Sequence, residues 1–258
     1  MVISFSSSAL IKGPFDWAYQ LEDLGYTGWE IVNEGRQKLT ADNVSDAKKI
    51  AETTSLHITL HLPYSDLNLA SMNQPIWEET VRQMKACLTL GADFATLAVV
   101  HPGHLSPLGA QLPDAAWEQN VLGIQQICDH AADLSMTIGV ENMVNMPALL
   151  GRVPSEIIGI MDNVDRENLG FVLDVGHAHT NGNLDQFLAQ LRPRIIHAHI
   201  HDNHGERDEH LPVGFGTVDW NMVVSAFDGF SGRFVTEARS LAEGQRSMTR
   251  LKKLMGGA

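Results

Sequence analysis

Strand-like and helix-like segments alternate eight times along this chain, and no other feature constrains the fold as strongly. The strand-like segments are VISFSSS, GWEIV, HITLHL, FATLAVV, MTIGVEN, LGFVLDV, RIIHAHIHD and GRFVTEA. A helix is expected after each. The first runs from about Pro14 to Leu24, with Pro14 in the first turn. The second runs from about Asp42 to Thr54, with Thr40 as N-cap. PIWEETVRQMKACLTLG closes on Gly91, and a further helix spans about Asp114 to Leu134. VPSEIIGIMDNV, NLDQFLAQL, DWNMVVSAFDGF and LAEGQRSMTRLKKLM complete the series. Eight such units in 258 residues match the size of a (β/α)8 TIM barrel, read as a single domain over residues 1–258. A doubly wound open sheet fits less well, because no glycine-rich phosphate loop follows the first strand. The stretches 102–113 and 203–218 exceed an ordinary strand–helix loop, as functional loops often do.

Six of the apolar runs end in a histidine or a carboxylate: His61, His101, Glu141, Asp174, His199 and Glu237. Active sites of such barrels form at the C-terminal ends of strands, so these side chains are expected to converge over one mouth. Buried carboxylates among histidines require compensation, which divalent cations supply. Imidazole with carboxylate suits zinc, manganese or iron rather than calcium. His177 lies just past the strand ending at Asp174. Asp208 and His210 sit two apart in the second long loop, and together these bring the candidate metal ligands to nine.

The net charge of −13 argues against broad electrostatic capture of nucleic acid, although three divalent ions at two charges each would bring it to −7. No apolar run is long enough for a membrane span. MVISFSSSAL lacks the basic start of a secretory leader. Cys87 and Cys128 read as buried thiols in a reducing compartment, which gives a cytoplasmic expectation. Oligomeric state is open.

The series HLPY, VVHPGH, GVENM, LDVGHAH, HIHDN, RDEHLPVGFG and VTEAR resembles the endonuclease IV / xylose isomerase-like TIM-barrel superfamily over nearly the whole chain. The resemblance implies three ion positions: His61, His101 and Glu141; then Glu141, Asp174, His199 and Glu237; then His177, Asp208 and His210. Zinc is the metal implied by the endonuclease branch. Manganese is implied by the sugar isomerase branch, which needs only the Glu141, Asp174, His199 and Glu237 quartet.

Glu30, Tyr64 and Arg239 are candidate substrate contacts, Arg239 toward an anionic group. His197 and His201 face inward and are candidates to orient ligands. His57, His130 and His204 read as structural, and Trp29, Trp77, Trp117 and Trp220 as packing residues.

Two chemistries compete. In a sugar or sugar phosphate isomerase or epimerase, the metal acidifies a C–H beside a carbonyl, Glu141 and Glu237 exchange the proton, and His177 holds a substrate hydroxyl. The stretch from His199 through GTVDW looks closest to this branch. In a multi-zinc phosphodiesterase of the endonuclease IV (AP endonuclease) type, the cluster generates hydroxide. The full nine-residue set favours that chemistry, since three zinc ions and four carboxylates leave about +2 for a phosphate. Ser65 and Phe215 depart from the endonuclease pattern, and only Arg36 and Lys38 follow strand two, which weighs against abasic DNA as substrate. A non-catalytic metal-binding barrel is the third class. The first chemistry is the preferred expectation.

Overall fold

The computed structural model describes residues 2–10 and 13–256; Met1, Ile11, Lys12, Gly257 and Ala258 lie outside it, so the expected 1–258 span extends past the described residues at both ends. Eight parallel strands close into a barrel in sequence order. They are β1 (Val2–Ser6), β2 (Gly28–Val32), β3 (His57–His61), β4 (Ala95–Val100), β5 (Thr137–Glu141), β6 (Leu169–Asp174), β7 (Ile195–Ile200) and β8 (Arg233–Glu237). β8 pairs with β1 from Val2↔Arg233 to Ser6↔Glu237 and completes the closure. The (β/α)8 expectation from the alternation is therefore met.

The helices are α1 (Val44–Thr53), α2 (Gln74–Gly91), α3 (Pro113–Asp133), α4 (Pro154–Val164), α5 (Val175–Thr180), α6 (Leu184–Leu191), α7 (Trp220–Ala226) and α8 (Leu241–Gly256). Three differences from the sequence reading have local causes. The first unit carries no α-helix but a 3-10 segment, Phe15–Gln20, preceded by Pro14. Thr40 does not cap α1. The helix starts at Val44 after Asn43, whose Oδ1 accepts from the Thr40 N–H at 2.8 Å. The extra helix α5 starts directly from the end of β6, because Asp174 caps it by accepting the His177 N–H at 2.6 Å.

Strand alternation divides the sheet into two unlike faces. Ile3, Phe5, Ile31, Ile58, Leu60, Val100, Ile138, Val140, Phe171, Leu173, Ile200 and Phe234 join the apolar core against the helices. The intervening positions, turned to the barrel axis, carry Ser4, Ser6, Glu30, Thr59, Glu141, His197 and His199, all buried. Gly139 lies among them because a Cβ there would collide with the Val172 side chain. The hydrophobic energy of the fold thus sits mainly in a ring around the barrel, and its axis is largely polar, with Val99, Val172 and Val235 as apolar members. No helix of the described residues is long and apolar enough to cross a membrane.

Candidate metal centre

Strand register brings the six strand-end residues together. His61, Glu141, Asp174 and Glu237 are the last residues of β3, β5, β6 and β8. His101 follows β4 by one residue, and His199 is the penultimate residue of β7, paired with Asp174 across the β6–β7 ladder.

The first group is a tripod of three atoms. His61 Nε2 and His101 Nε2 lie 3.1 Å apart. They lie 3.4 and 3.1 Å from Glu141 Oε2. His61 Nδ1 sits 3.0 Å from the Leu62 carbonyl, which can only accept, so Nδ1 carries the proton and Nε2 presents its lone pair. Tetrahedral zinc with bonds of ~2.0–2.1 Å requires ligand–ligand edges of about 3.3–3.4 Å, close to these separations. Glu141 Oε2 has no aligned hydrogen-bond donor. An orphaned, buried carboxylate oxygen facing two imidazole nitrogens is the arrangement a cation completes.

The second group centres on His199. Its Nδ1 lies 3.1 Å from Glu141 Oε1, 3.6 Å from Glu237 Oε1 and 3.9 Å from Asp174 Oδ2. Asn142 fixes the adjacent backbone: its Oδ1 accepts the Asp174 N–H at 2.8 Å, and its Nδ2 donates to the Asp174 carbonyl at 3.0 Å.

The third group spans α5 and the long loop after β7. Asp208 Oδ2 lies 3.4 Å from His177 Nε2 and 3.0 Å from His210 Nε2. His177 Nδ1 donates to the Asn142 carbonyl at 2.9 Å, which leaves Nε2 free. His201 also belongs here: its Nε2 lies 3.2 Å from Asp174 and 3.5 Å from Asp208, and its ring stacks on His210 with centroids 4.0 Å apart. Gly176 makes room for that ring, since a Cβ would strike it. His210 has a φ of 49°, a left-handed conformation uncommon outside glycine. The loop that imposes it is held by Asp202, fully buried, which accepts from the N–H groups of Asn203, Val218 and Gly214 and from Trp220 Nε1.

The charges sustain one another. Burial alone would push the Glu141 carboxyl up, but His199 and His101 hold it well below the usual range. Burial opposes protonation of His199 and His177, yet the surrounding carboxylates raise both well above the ordinary histidine value. Against the same penalty His201 is pushed up to about 9, with Asp174 the largest counterforce. His101 moves down, because burial outweighs its single carboxylate neighbour Glu141.

The nine expected ligands thus meet at one mouth; seven line a cavity of about 300 Å³, and Asp174 and His199 lie fully buried behind them. Tyr64 lines it, its ring 4.8 Å from that of His101. Glu30 does not. It lies fully buried beneath the mouth, with Oε2 2.9 Å from His197 Nε2 and 3.0 Å from Thr59 Oγ1, and with Oε1 2.9 Å from His199 Nε2. Its role as a substrate contact is therefore replaced by one as support for His199. Arg239 also stays off the cavity, tied to Glu243 at 2.8 Å. The residues missed as site members are Asp202 and Asn142. Both sit beside ligand motifs, in HIHDN and VENM, which is the signal that could have found them.

Residues 18–254 match the family described as xylose isomerase-like TIM barrel. An uncharacterized protein of Methanocaldococcus jannaschii is 30% identical over 98% of this chain and 89% of its own length. A probable endonuclease 4 of Acholeplasma laidlawii is 26% identical over 87% of this chain and 84% of its own. The solved structure of a D-tagatose 3-epimerase-like protein superposes with a TM-score of 0.94 at 30% identity, covering 99% of this chain and 97% of that one. With the closed eight-stranded barrel and the strand-end histidines and carboxylates in place, the match over almost the entire chain makes this protein a member of the xylose isomerase-like TIM-barrel family.

Proposed function

We propose that this protein is a divalent-metal-dependent isomerase or epimerase of a small hydroxy-carbonyl compound, acting by proton transfer through Glu141 and Glu237. The observation that carries the reading is a pair of carboxylates, from β5 and β8, that converge on one imidazole nitrogen. Glu141 Oε1 and Glu237 Oε1 approach His199 Nδ1 at 3.1 and 3.6 Å, and both residues line the cavity. Glu141, Asp174, His199 and Glu237 would hold a zinc or manganese ion, which would supply the polarisation that acidifies a C–H beside a carbonyl. One carboxylate takes the proton from carbon, and the C–H electron pair becomes the C=C bond of the substrate's enediolate. The other carboxylate returns a proton. Return to the opposite face of the same carbon gives an epimer, and return to the neighbouring carbon gives an isomer. His177, with Nδ1 committed to the Asn142 carbonyl, offers Nε2 to a substrate hydroxyl. The 30% identical epimerase-like structure supports this chemistry. The test is turnover of small ketoses in D2O with added zinc or manganese. Deuterium at the reacting carbon is expected, and its absence across the series rejects the reading.

A second reading is favoured by the third group. His177, Asp208 and His210 exceed what a single-metal isomerase needs, and their convergence suits a multi-zinc phosphodiesterase. Three zinc ions per chain together with cleavage of abasic-site DNA decide for it. One exchangeable ion and no cleavage decide against it.

A further inference from the structure

The cavity has two unlike walls. One is the cluster of imidazoles and carboxylates. The other is built by Leu67, Leu69, Met84, Met143, Val144 and Leu149, from the loop after β3, from α2 and from the loop after β5. No lysine or arginine side chain lines the cavity among the described residues. Arg239, the nearest sequence candidate for an anion, is engaged by Glu243 instead. Away from the cluster the polar lining groups are Ser8, Tyr64 and His104, and burial shifts His104 toward its neutral form.

A substrate whose adjacent oxygens face the cluster directs its far end at this apolar wall. A phosphate there loses water and meets no counter-charge, and a hydroxyl there loses water for few partners. A methyl or other apolar terminus gains contact. A volume of about 300 Å³ admits a molecule of monosaccharide size. Resting on the isomerase reading, we infer that the substrate is an uncharged hydroxy-carbonyl compound whose end remote from the reacting oxygens is deoxygenated or alkyl-bearing, and that it is not a sugar phosphate.

The test is calorimetric binding to the metal-loaded protein of a ketohexose, its 6-deoxy analogue and its 6-phosphate, with inorganic phosphate run alongside to isolate direct capture of phosphate by the ions. The 6-deoxy compound is expected to bind roughly tenfold tighter than the ketohexose, as suits one hydroxyl spared an unpaired burial. The 6-phosphate is expected to bind no tighter than inorganic phosphate. Leu149→Arg, which places a cation on the apolar wall, is expected to raise affinity for the 6-phosphate and lower it for the 6-deoxy compound. Lys49→Ala, at an exposed position of α1 away from the cavity, is expected to leave the ranking unchanged. Tightest binding by the 6-phosphate, or no discrimination among the three, overturns the inference. The expected ranking without deuterium exchange refutes the isomerase chemistry alone. Exchange confined to the 6-phosphate refutes this substrate class alone.

Discussion

His199 Nε2 and Glu30 Oε1 lie 2.9 Å apart, both fully buried, and neither has an aligned hydrogen-bond partner elsewhere among the described residues. A small rotation of the imidazole, soft about its terminal torsion, aligns them. Glu30 accepts, so in the neutral ring Nε2 is the protonated nitrogen and Nδ1 offers its lone pair to the mouth. Glu30→Gln keeps the shape, but one of its two side-chain positions becomes a donor facing His197 or His199. Metal affinity is expected to fall about 10–100-fold, as is usual when such a supporting group is lost. A competition titration against a chromophoric chelator measures it. Unchanged affinity refutes the supporting role.

Stability of the metal-free protein should depend on pH with a defined sign. The raised values of His177, His199 and His201 contribute stability that is complete below the unfolded histidine value of ~6.5. That contribution is lost as pH rises, for His201 through about 9. The depressed Glu141 contributes stability that is lost as pH falls below its unfolded value of about 4.3. The melting temperature without metal is therefore expected to decline between pH 6.5 and 9. With zinc bound, which displaces those protons, the decline should shrink or reverse. Parallel melting curves of the two forms settle this, and identical pH profiles refute it.

Glu141→Gln removes the carboxylate shared by the first two groups. Turnover is expected to drop by at least ~10²-fold, the usual scale for a lost acid–base group. The circular dichroism spectrum is expected to stay that of a folded barrel, because the apolar ring does not include this residue. Retained turnover removes Glu141 from the chemistry under either reading.

Asp202→Asn replaces an oxygen that accepts from Gly214 and Trp220, or one that accepts from Asn203 and Val218, by an NH2 group. A destabilisation of roughly 2 kcal/mol is expected from the broken charged hydrogen bonds. Because the loop carrying Asp208 and His210 hangs from this anchor, any ion held by the third group should be lost first. Urea denaturation and metal analysis check the two effects. Loss of stability with all ions retained separates the anchor from the third group.

The barrel and the strand-end residues were legible because both depend on short-range pattern. Apolar runs read as parallel strands, and a polar residue closing each run lands at the same end of every strand. The nine expected ligands come together for that reason. Features set by three-dimensional neighbours were not legible. Nothing near Glu30 in sequence announces that His197 and His199 will close over it from a strand on the far side of the barrel. Arg239 looks free until α8 brings Glu243 one turn away. The helix α5 hides because its cap, Asp174, is also a candidate ligand, and its six residues are too few to show a helical period.

The ring-shaped apolar core separates what holds the chain folded from what the mouth does. The mouth side chains stand outside that core, so their replacement leaves its apolar packing intact, whereas replacement of Phe5 or Phe171 would open a cavity in it. The scaffold can therefore tolerate wide exchange of mouth residues, and a lineage can drift from one reaction to another while the same outer shell persists.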